Sequence, residues 1–245
     1  MFRNAKPRLL VAAAAVVAGG TVLVSGLDGG ATAGAARTAG GEDTSSIRFE
    51  AVEDPALQEA LREVREATEK FEDVEAAKEA GYIRDPMDLC YGASDAGRPV
   101  QLGHMGVHYF RPDLLGITEE KPRVDGTGTH TDFSPPGVLV YEPQPDGSME
   151  LVAVENLVFR EAWDANHDGP PTFHGLEYYP MTDNPRTEID EAHHFRPHYE
   201  LHLWVHRENP IAVYSEWNPN VTCEHHERQT AAEETAGNAR GGDRG

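Results

Sequence analysis

The sequence predicts an α+β fold: a mainly antiparallel sheet or partial barrel, one long N-terminal amphipathic helix packed on it, and long loops. Apolar residues recur at helical spacing between residues 55 and 80. From Cys90 onward, short alternating segments are separated by Pro- and Gly-rich connections, notably 111–136 and 160–197. The chain has 245 residues, 39% of them hydrophobic, which is enough for one domain with a real core.

The helix has a recognisable start and end. Asp54 can cap its N terminus, Pro55 suits the first helical position, and Gly81 supplies the C-terminal stop. The apolar stripe consists of Leu57, Leu61, Val64, Phe71 and Val74. This spacing predicts one continuous helix of about 25 residues, and its stripe contains too few heptads for a coiled coil.

The strand prediction concerns four segments, which are 100–110, 138–142, 149–159 and 198–206. The second and third form a hairpin around the turn signal at 143–147. Strict alternation puts His104 and His108 on one face of the first strand, with Gly106 between them. A glycine at that position marks a bulge or a close approach to the backbone.

The N terminus has the pattern of an export signal. Three basic residues precede an apolar stretch from Leu9 to about Gly26, and small residues near Ala33 offer cleavage sites of the A-x-A kind. We expect a signal peptide at 1–35, cleaved near 34–37, with an uncleaved membrane anchor as the alternative. The remaining predicted segments are a flexible linker at 36–52, a globular domain at 53–223 and a mobile acidic tail at 224–245.

The two cysteines, Cys90 and Cys223, are interpreted as one disulfide, because an exported chain with an even count of cysteines is most simply paired. No C-x-x-C motif suggests redox or zinc chemistry. This interpretation agrees with a secreted, extracellular location.

The chain is strongly acidic, with 42 Asp and Glu against 21 Lys and Arg and a formal net charge of −21. Such a surface repels phosphate backbones and anionic lipids, so neither nucleic acid nor a membrane is an expected partner. A small molecule remains a candidate partner, and the sequence does not indicate the oligomeric state.

A charged residue interrupts the most apolar predicted strand. Glu155 lies in the middle of 151–159, on the face assigned to Leu151, Ala153, Leu157 and Phe159. A buried carboxylate needs a partner, because an isolated buried charge costs several kcal/mol. The partner is an arginine, a histidine or a metal ion, and a structural salt bridge is an equal alternative.

Histidines on two other predicted strands suggest the metal. His198, Glu200, His202, Trp204 and His206 share one face of the last strand at period two. Imidazole and carboxylate ligands suit Zn, Fe, Mn or Cu. We therefore predict a metal site of His108, Glu155 and His202, with His104, His198 and Glu200 as candidates for further ligands. The alternative is that these histidines form a solvated outer face.

Calcium is the less favoured ion. The run from Asp164 to Gly169 matches the start of an EF-hand loop. However, the twelfth position is Gly175 rather than Glu, and no clear helix flanks the run. A plain turn rich in Asp and Asn is the preferred interpretation.

Several short motifs are spread over the predicted globular domain: Met105-Gly-Val-His-Tyr109, Leu139-Val-Tyr-Glu-Pro143, Leu151-Val-Ala-Val-Glu155, Tyr199-Glu-Leu-His-Leu-Trp204, Asn209-Pro210 and Trp217-Asn-Pro-Asn-Val-Thr-Cys223. Together they resemble a family of exported actinobacterial and proteobacterial proteins of uncharacterised function. The likeness covers about residues 55–223. It implies that both cysteines, His108, Glu155 and His202 are the positions to watch, and that His104, His193 and His194 matter less. The family supplies no activity.

Two functional hypotheses follow. One is an exported metal-dependent enzyme acting on a small extracellular molecule, and its catalytic residues are unknown. The other is a non-catalytic exported binding or structural protein whose His and Glu residues do not converge. Convergence of His108, Glu155 and His202 would separate the two.

Overall fold

The computed structural model describes residues 52–117 and 126–227. The predicted signal peptide, nearly all of the predicted linker and most of the predicted tail lie outside these ranges. Within the described ranges, no helix is long and apolar enough to cross a membrane.

The structure confirms a mixture of helices and antiparallel sheet. The helices are α1 (Pro55–Thr68), α2 (Val74–Glu79), α3 (Pro112–Leu115) and α4 (Arg160–Asp164), with 3-10 turns at Glu69–Glu72 and Val100–Leu102. The strands are β1 (Ile83–Arg84), β2 (Cys90–Gly92), β3 (His104–Phe110), β4 (Val138–Pro143), β5 (Met149–Phe159), β6 (Thr172–Phe173), β7 (Leu176–Glu177), β8 (Tyr179–Met181) and β9 (His198–Leu203).

The main sheet has seven strands in the order β1-β3-β4-β5-β9-β8, and β2 also pairs with β3. All of its described pairings are antiparallel. No pairing between described strands closes it, so it is an open sheet rather than a barrel. The predicted hairpin is present as β4 and β5, and the small sheet of β6 and β7 stands apart.

The predicted single long helix is wrong, since the segment is broken into α1, a 3-10 turn and α2. Asp54 caps α1 as expected, because its carboxylate accepts from Ala56 N at 2.9 Å. The break comes at Asp73, whose extended backbone starts a new helix and whose carboxylate accepts from Glu75 N at 2.9 Å. Gly81 ends the helical segment at φ +94°, a conformation that suits glycine.

Two of the strand predictions need correction. Residues 100–102 form a 3-10 turn, so the first strand begins at His104. The last strand ends at Leu203, because Trp204 N turns away to donate to Val213 O.

The run from Asp164 to Gly169, which was expected to have no clear flanking helix, follows the short helix α4. There Asp164 Oδ1 accepts from the Tyr199 hydroxyl at 3.1 Å.

The sheet is buried on both faces. One face packs against α1, α2 and the first 3-10 turn, and its cluster includes Leu61, Val64, Phe71, Val107, Tyr109, Tyr141, Val154, Leu201 and Leu203. The opposite face carries Phe110, Val138, Val140, Ala153, Leu157, Phe159 and Trp204, and is covered by Leu115 and Val221. The parity of β3, β5 and β9 puts His108, Glu155 and His202 on this second face, away from α1.

Two register shifts determine which residues share that face. Tyr91 pairs with Gly106 but Gly92 pairs with His104, so Met105 is the extra residue of a bulge in β3. Val140 pairs with Ala153 but Tyr141 pairs with Leu151, so Val152 bulges in β5. As a result Leu151 lies on the α1 face, not on the face of Glu155 as the alternation predicted.

Candidate metal centre

The pairing of β5 and β9 places two of the candidate ligands side by side. Glu155 and His202 are directly opposite each other in the ladder, where side chains project from the same face. His108 belongs to β3, which is separated from β5 by β4. Two strand spacings are about 9–10 Å, so its imidazole reaches the carboxylate across Val138 and Val140, whose short side chains leave room.

The three side chains converge. His108 Nε2 and His202 Nε2 each lie 3.3 Å from Glu155 Oε2. One ligand atom from each of the three residues lies within 4.8 Å of the others. Charge-assisted hydrogen bonds between nitrogen and a carboxylate are usually about 2.7–2.9 Å long, so these contacts are longer than that. They match the roughly 3.3–3.4 Å between ligand atoms around a tetrahedral metal with bonds of about 2.0–2.1 Å.

Burial makes this arrangement energetically demanding. The exposed fractions of the His108, Glu155 and His202 residues are 6%, 3% and 2%. Glu155 Oε2 and His202 Nε2 are buried and have no hydrogen-bond partner in the described part of the chain. A buried polar atom without a partner costs about 1–3 kcal/mol, and more when it is charged. A bound cation would satisfy both atoms.

Two of the predicted further ligands, His198 and Glu200, form a layer behind His202. His198 Nδ1 donates to Arg196 O at 2.9 Å, and its Nε2 lies 3.2 Å from Glu200 Oε2. Because both ring nitrogens face acceptors, this geometry describes an imidazolium paired with a carboxylate. Glu200 Oε1 lies 3.8 Å from His202 Nδ1. A carboxylate behind a metal-binding histidine commonly orients its ring.

The electrostatics agree with that arrangement. Burial opposes protonation of His108, but the Glu155 carboxylate, with Asp85 and Glu200, outweighs it and raises the pKa of His108 above its usual value. Burial likewise opposes protonation of His198, and Glu200 raises the pKa of that ring. Burial alone would raise the pKa of Glu200, but His198, His202 and His193 lower it to about 2.

The other predicted candidate ligand, His104, lies outside the cluster. The Met105 bulge takes it out of phase with His108, and its Nδ1 donates to Val221 O at 3.0 Å. His206 also leaves the predicted shared face. It follows the end of β9 and sits beneath α1, where its Nε2 lies 2.9 Å from Thr68 Oγ1.

His193 also lies beside the cluster, although it was not among the predicted site residues. It belongs to the β8–β9 loop (residues 182–197). This ring stacks on Tyr91 with centroids 4.5 Å apart, meets Trp217 edge-on, and is only 7% exposed. Burial lowers the pKa of His193 to about 4. His193 lies in a loop, where no periodicity of the sequence indicates which side chains point inward.

A small cavity adjoins the cluster. Its volume is about 10 Å³, and it is bordered by His108, Glu155, His193, His198 and Glu200, with Asp85, Tyr91, Phe110, Leu157 and Phe195 completing the wall. This volume holds about one water molecule. A larger pocket of about 510 Å³ lies elsewhere, between Leu57 and residues 208–214, and none of the cluster residues lines it.

Comparison of the chain with protein-family models, with curated proteins and with solved structures finds no match. The resemblance to a family of exported proteins therefore stays a prediction. The site is interpreted from its own chemistry.

Proposed function

We propose that this protein binds one divalent transition metal ion through His108 Nε2, Glu155 Oε2 and His202 Nε2. The observation that carries the proposal is the spacing of these atoms, with two 3.3 Å separations meeting at a single carboxylate oxygen. Two imidazoles and one carboxylate suit Zn, Fe, Mn or Cu, and leave at least one coordination position open. Glu200 Oε1 lies 3.8 Å from His202 Nδ1, and we propose that the two groups move into hydrogen-bond contact when the ion is bound, so that Glu200 orients His202 without binding the ion itself.

The charge of the buried cluster supports a cation at this point. Two carboxylates, Glu155 and Glu200, are almost completely buried, and His198 neutralises only Glu200. Within the described ranges, the ion pairs of Glu155 are both with histidine. A divalent ion would compensate its charge, as a metal does for many buried carboxylates.

The size of the cavity argues against an organic substrate at the triad. Pockets for organic substrates usually measure about 300–1,000 Å³, whereas the cavity beside the triad measures about 10 Å³. We therefore propose a centre that handles the ion and a very small ligand. Turnover of an organic extracellular molecule at the triad is not part of the proposal.

We also propose that the protein is exported, as the N-terminal pattern predicts. The disulfide between Cys90 and Cys223 is compatible with an oxidising extracellular location. The proposed family membership adds a testable expectation. In true relatives, substitutions at His108, Glu155 and His202 should be confined to other metal-binding side chains.

The direct test is metal analysis of untagged protein beside three variants. Wild type is expected to retain close to one equivalent of metal after dialysis against Zn²⁺, Mn²⁺, Cu²⁺ or anaerobic Fe²⁺. His108→Ala and His202→Ala should lose it. His104→Ala is the matched control, because it removes a histidine from the same strand outside the cluster and should leave the metal content unchanged.

Two results would contradict the proposal. One is substoichiometric metal in wild type with every ion, together with no thermal stabilisation by any of them. The other is one equivalent of metal retained by both His108→Ala and His202→Ala, because the ion would then be bound elsewhere.

A further inference from the structure

The cavity beside the triad lies between two of the three proposed metal ligands and one further histidine. His108 and Glu155 border it on one side, and His193 borders it from the β8–β9 loop. His193 Nε2 is buried and has no hydrogen-bond partner among the described residues. A buried, unpartnered nitrogen beside a water-sized space calls for a polar occupant.

His193 is held in place from several directions. Its ring stacks on Tyr91, which follows the disulfide cysteine of β2, and its edge meets Trp217 in the segment leading to Cys223. Its backbone φ is +52°, and that of His194 is +64°. Left-handed conformations are uncommon for residues other than glycine. Two such residues in succession turn the His193 side chain inward, while the His194 side chain pairs with Asp190 at the surface.

We propose that this cavity receives a single exogenous ligand of one or two heavy atoms on the metal, and that His193 Nε2 hydrogen-bonds to it. The chemical class is water or hydroxide, or a diatomic molecule such as dioxygen. This inference rests on the proposed metal site and adds to it the ligand class and a fourth functional residue.

Two features support the size limit. The free volume of about 10 Å³ excludes a ring or a branched molecule. The walls also resist expansion, because Phe195 packs between Phe110 and His198 with centroid distances of 5.6 and 5.7 Å. A ligand larger than a diatomic would have to displace this aromatic cover.

His193 is a positioning residue for the ligand rather than a metal ligand. A fourth ligand at a tetrahedral vertex would lie about 3.4 Å from each of the other three. The group of described residues whose ligand atoms lie within 4.8 Å of one another comprises His108, Glu155 and His202, without His193. The space between His193 and the triad is therefore left for an added ligand.

The test uses full-length protein loaded anaerobically with Fe²⁺, with nitric oxide as the diatomic probe and imidazole as the ring-sized probe. The variants are His193→Gly and His194→Gly. Glycine adopts positive φ without strain, so both substitutions keep the loop backbone, and only the first enlarges the cavity. Iron content is measured before either probe is added.

Wild type and His194→Gly should bind nitric oxide with the electron paramagnetic resonance signal of a ferrous nitrosyl, and imidazole should leave the iron unchanged. His193→Gly should release nitric oxide about fivefold faster, because one hydrogen bond is lost. It should also admit imidazole in competition with nitric oxide.

Wild type that retains one equivalent of iron but gives no nitrosyl signal would overturn the inference. His193 or another side chain would then occupy the coordination position proposed for the added ligand. Imidazole binding to wild type as readily as to His193→Gly would overturn the size limit. Failure of wild type to retain iron or any other ion would instead refute the metal site on which the inference rests.

Discussion

Glu155 determines the chemistry of the centre, because its Oε2 is the atom that both imidazoles approach. Its exposed fraction is 3%, and its neighbours on the same face of β5 are the apolar residues Ala153, Leu157 and Phe159. Without an ion, Glu155 Oε2 and His202 Nε2 stay buried with no hydrogen-bond partner among the described residues. With an ion, both become ligands. The same residues that stabilise a bound metal therefore destabilise the metal-free fold.

Removing the charge of Glu155 should affect metal binding more than removing that of Glu200. Glu200→Gln is expected to weaken affinity by roughly 10- to 100-fold, the usual effect of losing a group that orients a ligand. Glu155→Gln should weaken it further, because a direct ligand is lost while the side-chain volume is kept. Competition titration with a chelator measures both. Equal affinities for the two variants would refute the assigned roles.

Metal affinity should fall as the solution becomes more acidic. Coordination needs neutral imidazoles, and the neighbouring carboxylates raise the pKa of His108 above 6.5 in the metal-free protein. Proton competition therefore begins above pH 6.5 and grows as the pH decreases. Isothermal titration across pH 5–8 should show stronger binding at the alkaline end, with proton release on binding. Affinity independent of pH would contradict His108 as a ligand.

At the scale of the elements, the sequence predicted the strands better than their faces. Glu155 and His202 share a face because β5 and β9 pair without interruption between them, and period-two alternation is sufficient there. His104 and Leu151 were assigned to the wrong face because each lies beyond a bulge. In the sequence, Gly106 was the one indication of the first bulge. Its φ is +119°, and a Cβ at this position would lie only 2.6 Å from Tyr141 O.

Other elements depended on contacts that no local pattern reveals. The helical segment was predicted as continuous because apolar residues recur at helical spacing from Leu57 to Val74. The helix breaks at Asp73 because its carboxylate caps the start of α2. An aspartate can also lie inside a helix, so the sequence alone does not reveal this capping role. The short strands β1, β2 and β8 are edge strands of two or three residues, too short for alternation to be recognised.

The contact between α1 and the end of β9 should make stability depend on pH. Burial, with the nearby Arg65 charge, lowers the pKa of His206 to about 3 and outweighs the half-exposed Glu72, whose Oε1 lies 3.5 Å from His206 Nδ1. As the pH falls, the unfolded chain therefore binds a proton at His206 before the folded chain does. The free energy of unfolding decreases by up to about 1.4 kcal/mol per pH unit below about pH 6.5. His206→Gln should flatten this dependence in urea unfolding, while His167→Gln at an exposed site should not. Identical slopes would refute the assignment.

For the molecule as a whole, the disulfide ties the C-terminal segment to β2, at the edge of the main sheet. Cys90 and Cys223 are 133 residues apart in sequence, and their Cα atoms are 5.8 Å apart. Between β9 and Cys223 the chain supplies Trp217, which contacts His193, and Val221, which covers the second face of the sheet. Thr222 N also donates to Glu142 Oε1 at 2.7 Å.

Breaking this bridge should weaken both the fold and the metal centre. Closing a loop of this length contributes about 5 kcal/mol in the chain-entropy model. A double Cys90→Ser, Cys223→Ser variant is therefore expected to lose much of its stability in urea unfolding and to exchange metal faster than wild type. Unchanged metal exchange in a destabilised variant would show that the C-terminal segment does not enclose the site.

The most direct test of the metal centre is anomalous X-ray diffraction from a crystal of metal-loaded protein, recorded on both sides of the metal absorption edge. We predict one strong anomalous peak about 2.0–2.2 Å from His108 Nε2, Glu155 Oε2 and His202 Nε2. Extra density on the side of His193 would mark the small ligand. A peak elsewhere in the molecule, or no peak between these three side chains in fully loaded protein, would contradict the account.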